Sequence, residues 1–134
     1  MKNKIIAVLG GTVALFGLGF LIYVVLFGDA EFQMTEGAKL VVREQTQFPV
    51  IILMEILYAT LITIIFSRWA QIKTFSTGAK AGLVIGLFIG ACYGLDLLAT
   101  TTITTVTGVV FWAVTYAIRY AVAGGVIGWL LGRE

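Results

Sequence analysis

Four long apolar runs, separated by shorter polar stretches, set the rhythm of this chain. They cover about residues 5–27, 49–67, 79–99 and 109–131. Each approaches the twenty or so residues that an α-helix needs to cross the hydrocarbon layer of a bilayer. In that layer a spanning segment must satisfy its own backbone amides, so such runs predict helices. The expected fold is all-α, an integral membrane four-helix bundle built as one domain over residues 1–134. A signal peptide competes for the first run, because Gly28 and Ala30 suit a cleavage site. The run exceeds the roughly 7–15 apolar residues of a signal core, which favours a retained helix.

The polar connections orient the bundle. Residues 28–48 form the longest, an expected outer loop carrying Asp29, Glu31, Glu36, Lys39, Arg43 and Glu44. That segment either caps the bundle or lies on the outer surface as a short amphipathic piece. Pro49 stands where proline suits a first helical turn. Arg68, Lys73 and Lys80 mark the connection between the second and third runs, and a threonine-rich turn precedes the fourth. Lys and Arg accumulate on the cytoplasmic side of membrane proteins. An N-in, C-in arrangement puts Lys2, Lys4, Arg68, Lys73, Lys80 and Arg133 inside and leaves only Lys39 and Arg43 outside. Trp69, Trp112 and Trp129 fall near helix ends, where aromatic rings anchor at the interface.

Composition strengthens the membrane assignment. The chain is 60% apolar and 12% charged, with a mean hydropathy of +1.03; soluble domains are about 25% charged. The lipid bilayer is therefore its first expected partner, and a bacterial inner membrane its expected location. The chain has no His and one Cys, Cys92. That removes the usual ligands for zinc and haem and His-based acid–base catalysis, so no cofactor and no enzymatic activity are expected. Cys92 is expected to be a small core residue. No nucleic-acid motif is visible, and Ser67 and Ser76 fall in an inner connection far from the acids.

Small residues mark how the helices should meet. Gly82, Gly86, Gly90 and Gly94 recur every four residues, which aligns them on one stripe. There another backbone can approach closely, and van der Waals contact holds helices together in lipid. The fourth run offers Ala113, Ala117, Ala121 and Gly125, and separately Gly124, Gly128 and Gly132; the first offers Ala7 with Gly11 and Gly10 with Ala14. These small-xxx-small stripes suit packing within one chain, or contact with a homo-oligomer or membrane-protein partner.

Candidate chemistry is confined to three ionisable residues inside the runs: Glu55, Asp96 and Arg119. Such residues are rare in membranes and face the bundle interior or a cavity. At 1.5 Å per residue they lie roughly 9, 5 and 15 Å below the outer helix ends, within reach of one another once the arginine snorkels. Each has a tyrosine three residues away, Tyr58, Tyr93 and Tyr116 respectively, on the same helix face. Tyr120 is less aligned but close. A cluster of two acids, one guanidinium and several phenols follows, with one carboxylate in excess. That surplus acid suits a proton-coupled transporter; the plainer alternative is an ion pair plus an acid exposed at the interface.

Small multidrug transporters share four short spans and an intramembrane glutamate, but theirs lies in the first span, which here holds no ionisable residue. Thr74-Phe75-Ser76-Thr77 is similar to a string in small fluoride channels, whose pore asparagine has no counterpart here, since Asn3 is the only asparagine. Phe66-Ser67-Arg68-Trp69-Ala70, Gly94-Leu95-Asp96-Leu97 and Gly125-Val126-Ile127-Gly128-Trp129 resemble small bacterial four-helix membrane proteins of unassigned function. That resemblance implies fold and location only. The leading expectation is a protein that binds or transports a small solute or ion at the outer polar cluster, with a lipid or apolar small-molecule binder as a variant. The alternative is a non-catalytic accessory or assembly subunit of a membrane complex.

Overall fold

The computed structural model describes residues 2–26, 38 and 46–133. Apart from residues 38 and 46–48, the expected outer loop 28–48 lies outside them. Four helices account for almost all of the described chain: α1 (Lys2–Leu26), α2 (Phe48–Ala70), α3 (Phe75–Thr100) and α4 (Val106–Leu131). All four are long and apolar enough to cross a membrane. The last turns of α1 and α2, Leu21–Leu26 and Ile65–Ala70, are wound as π-helix.

The helices outrun the apolar stretches because polar residues finish them. α3 begins at Phe75 rather than near 79, and α4 at Val106 rather than near 109. Thr74 and Thr105 cap these starts, accepting from the Thr77 amide at 3.2 Å and the Gly108 amide at 3.3 Å. A cap satisfies amides that the first turn leaves orphaned. At the end of α3, the Thr100 and Thr101 hydroxyls donate to the Asp96 and Leu97 carbonyls at 2.7 and 2.6 Å. The threonine-rich turn thus serves helix ends. α2 stops at Gln71, whose φ of 53° is left-handed, while the Ile72 amide reaches back to the Phe66 carbonyl at 3.0 Å. That is how a C-terminal cap closes a helix.

α4 is the central helix. Of its most apolar stretch 56% is buried, against 22% in α1, 28% in α2 and 22% in α3. α3 runs antiparallel along one side of it, and α1 packs on both α4 and α2. The chain ends meet at one pole, where the Asn3 side-chain amide donates to the Arg133 carbonyl. We call this the terminal end, and the pole at residues 26, 48, 100 and 106 the distal end.

The α3–α4 seam is backbone against backbone. Gly78, Gly82, Gly86, Gly90 and Gly94 are all buried. A methyl added to Gly78, Gly82 or Gly86 would overlap the carbonyl oxygen of Gly124, Tyr120 or Tyr116, and on Gly90 it would come 2.6 Å from that of Trp112. The facing row on α4 is therefore 112, 116, 120, 124 and 128, which takes in Gly124 and Gly128 of the second small-residue stripe but not the Ala113-Ala117-Ala121 stripe. Small meets small where Gly78 faces Gly124 and Gly128 and where Gly82 faces Gly124; Gly82, Gly86 and Gly90 also receive the backbone of Tyr120, Tyr116 and Trp112. On the other side, Gly10 faces Leu130 and Gly11 faces Ile127 and Ala59.

Two sequence expectations change here. Cys92 is exposed rather than core, because it is two residues from both Gly90 and Gly94 and so faces away from α4. Trp112 is buried, unlike the exposed Trp69 and Trp129, because its carbonyl belongs to the seam.

Candidate functional site: an ion pair beneath an aromatic cavity

Arg119 lies mid-way along α4 and is only 4% exposed. A buried guanidinium without water must find its partners inside the protein. Its Nη2 is 2.7 Å from Oε2 of Glu55, which is fully buried on α2. The same nitrogen donates to the Leu15 carbonyl of α1 at 3.4 Å. The guanidinium also stands 5.1 Å from the Tyr116 ring centre and 5.5 Å from that of Tyr23, a range in which a cation is attracted to a ring face. Gly19 makes room: a methyl there would sit 3.3–3.5 Å from three guanidinium atoms. Three helices thus converge on one cation.

The pairing is incomplete. Glu55 Oε1, Arg119 Nε and the Tyr120 hydroxyl are buried without a hydrogen-bond partner among the described residues. Most buried polar atoms in folded proteins are satisfied, so these three make the cluster a polar site with unused bonding capacity.

Above the pair, toward the distal end, lies a cavity of about 460 Å³. Phe16, Phe20 and Tyr23 line it from α1, Phe48 and Ile51 from α2, Tyr93 from α3, and Trp112 and Tyr116 from α4, with Glu55 and Arg119. Phe16 and Phe20 pack on Phe48 at ring separations of 6.1 and 6.2 Å. The Tyr23 hydroxyl and the Thr115 hydroxyl are 2.6 Å apart, joining α1 to α4. The result is a largely aromatic chamber over a charge-balanced ion pair.

Of the six residues expected at a site, the structure brings four to this chamber. Glu55, Arg119 and Tyr116 form its polar part; Tyr93 is 53% exposed and packs on Trp112 at 5.8 Å. Tyr58 is not a lining residue; it packs edge-on against Tyr120 at 5.5 Å. Asp96 is exposed and does not line the cavity. At about 100° per residue, it is turned some 200° from the Gly94 stripe that faces α4. The expected cluster of two acids and one base is therefore one acid with one base.

Tyr23, Thr115, Leu15 and Gly19 were not singled out by sequence. Leu15, Gly19 and Tyr23 do recur every four residues in α1, which was the available signal. Among the described residues no group of three His, Cys, Asp or Glu side chains converges to hold a metal. The chain matches no family model, no curated protein and no solved structure. The geometry suits recognition: a half-open, largely apolar cavity with a few convergent polar atoms.

Proposed function

We propose that this chain is a multi-pass protein of a bacterial inner membrane, N-in and C-in, that binds a small solute in its distal chamber. Lys2, Lys4, Arg68, Lys73, Lys80 and Arg133 at the terminal end support that orientation through the positive-inside rule; with it, the chamber lies in the outer half of the bilayer. The observation that carries the binding reading is the 460 Å³ aromatic chamber over the Glu55–Arg119 pair. Transport by the same site would need a path past the Glu55–Arg119 pair, both of which line the chamber. The alternative is an accessory subunit, for which the outward row Leu83, Leu87, Phe88 and Leu95 of α3 would be one contact face among the exposed apolar faces of α1, α2 and α3.

The test uses Trp112 as sole tryptophan, in a Trp69→Phe, Trp129→Phe background reconstituted in phosphatidylcholine. Acrylamide, a small water-soluble quencher, is expected to reach Trp112. A panel of amino acids, sugars, polyamines and monovalent cations is then screened for shielding and for a raised Tm. Unquenched Trp112, or no panel member that shields it, would sink binding and leave the accessory role.

A further inference from the structure

At the terminal end, two depressions adjoin each other. The larger, about 400 Å³, runs between α1 and α2 with apolar walls from Ile5, Val8, Leu9 and Ile64. Thr60 and Thr63 also line it, but their hydroxyls donate to the Ile56 and Ala59 carbonyls at 2.7 and 2.8 Å. The groove therefore makes little polar demand along its length. The smaller, about 180 Å³, is polar, lined by Asn3, Lys4, Ser67, Gln71 and Lys73 among others. Lys4 and Ser67 belong to both, and Arg68 lines the groove mouth. The turn that carries these groups is fixed by the left-handed Gln71, whose amide lies 3.3 and 3.4 Å from the Ser67 and Arg68 carbonyls. The only described carboxylates are Glu55 and Asp96. Neither lines these depressions, so no described acid there offsets the cations.

We propose that this composite site holds an anionic phospholipid, its phosphate among Lys4, Ser67 and Lys73, beside the Gln71 side chain that braces the turn, and one acyl chain along the α1–α2 groove. The match is of charge and of shape together. A free phosphate would use the polar depression and leave the groove unused, and a neutral lipid would use the groove and leave three cations unmatched. Basic pockets between helices on the cytoplasmic side hold acidic head groups in this way. The site rests on the proposed insertion, which sets the terminal end at head-group level, but not on the distal chamber.

The experiment is native mass spectrometry of the full chain, reconstituted in phosphatidylcholine nanodiscs doped with phosphatidylglycerol. Phosphatidylglycerol is expected to stay bound in preference to phosphatidylcholine. Lys4→Gln and Lys73→Gln should each lower its retention about fivefold, the effect of losing one cation near a lipid surface. Lys80→Gln removes the same charge outside both depressions and should leave retention unchanged. Thr60→Phe fills the groove without altering charge and should lower it. An equal loss with Lys80→Gln would mean diffuse surface potential and would overturn the site, as would displacement of the lipid by inorganic phosphate. A chain that will not reconstitute overturns insertion and the site together; one that reconstitutes but retains no phosphatidylglycerol overturns the site alone.

Discussion

Along the α3–α4 seam two backbones touch, whereas around Arg119 the helices are held apart by side chains. The seam uses five glycines spaced four residues apart, and atoms of α4 stand where their side chains would be. The Arg119 cluster uses tyrosine, phenylalanine and one ion pair, and leaves a chamber. The two regions share residues: Trp112 and Tyr116 give their carbonyls to the glycine row and their side chains to the chamber. Close packing on one face of α4 thus fixes where the rings stand on another. Rigidity and vacancy are made by the same residues, and the glycine stripe supports the candidate site without lining it.

The contrast can be broken from either side. The largest effect is expected from Glu55→Ala, which leaves the Arg119 guanidinium buried and unpaired; losing one partner of a buried pair costs about 3–5 kcal/mol. Reversible unfolding in mixed micelles measures it, and the Glu55→Leu, Arg119→Leu double variant should recover most of the loss. A double variant no better than the single would mean that the pair contributes more than charge balance. Next comes Gly86→Ala, whose methyl would overlap the Tyr116 carbonyl. Overpacking of this kind costs about 1–3 kcal/mol, and displaced rings should also alter the Trp112 emission spectrum. Unchanged emission would separate the seam from the chamber. Tyr23→Phe removes the hydroxyl bonded to Thr115 and keeps the ring, and should cost about 0.5–1.5 kcal/mol in the same unfolding assay. The smallest effect belongs to Gly17→Ala. Nothing lies within 4 Å of the added methyl, so stability should stay within about 0.5 kcal/mol.

What was legible in the sequence followed from period and cost. Apolar length marked four helices, and the four-residue glycine spacing marked the buried face of α3. The price of an unpaired arginine in an apolar segment foretold a carboxylate beside Arg119. What was not legible depended on rotation about the helix axes. Asp96 has the right depth but the wrong azimuth, and depth alone was read from its distance to a helix end. The row on α4 that meets the glycines is small only over Gly124 and Gly128, which the sequence marked; at Trp112, Tyr116 and Tyr120 it is large, because a glycine can receive a carbonyl as readily as a methyl. Tyr23 carries little signal in the sequence, because α1 has no charge inside its apolar run to mark a polar face. The boundaries shifted at Thr74 and Thr105 because hydropathy marks where lipid contact begins, while hydroxyl caps mark where helices begin.

The Glu55–Arg119 pair joins residues 64 positions apart, which gives it a place in time as well as space. A ribosome adds about 5–20 residues each second, so Arg119 emerges roughly 3–13 s after its partner. During that interval α2 carries an acid whose counter-ion has not yet been made.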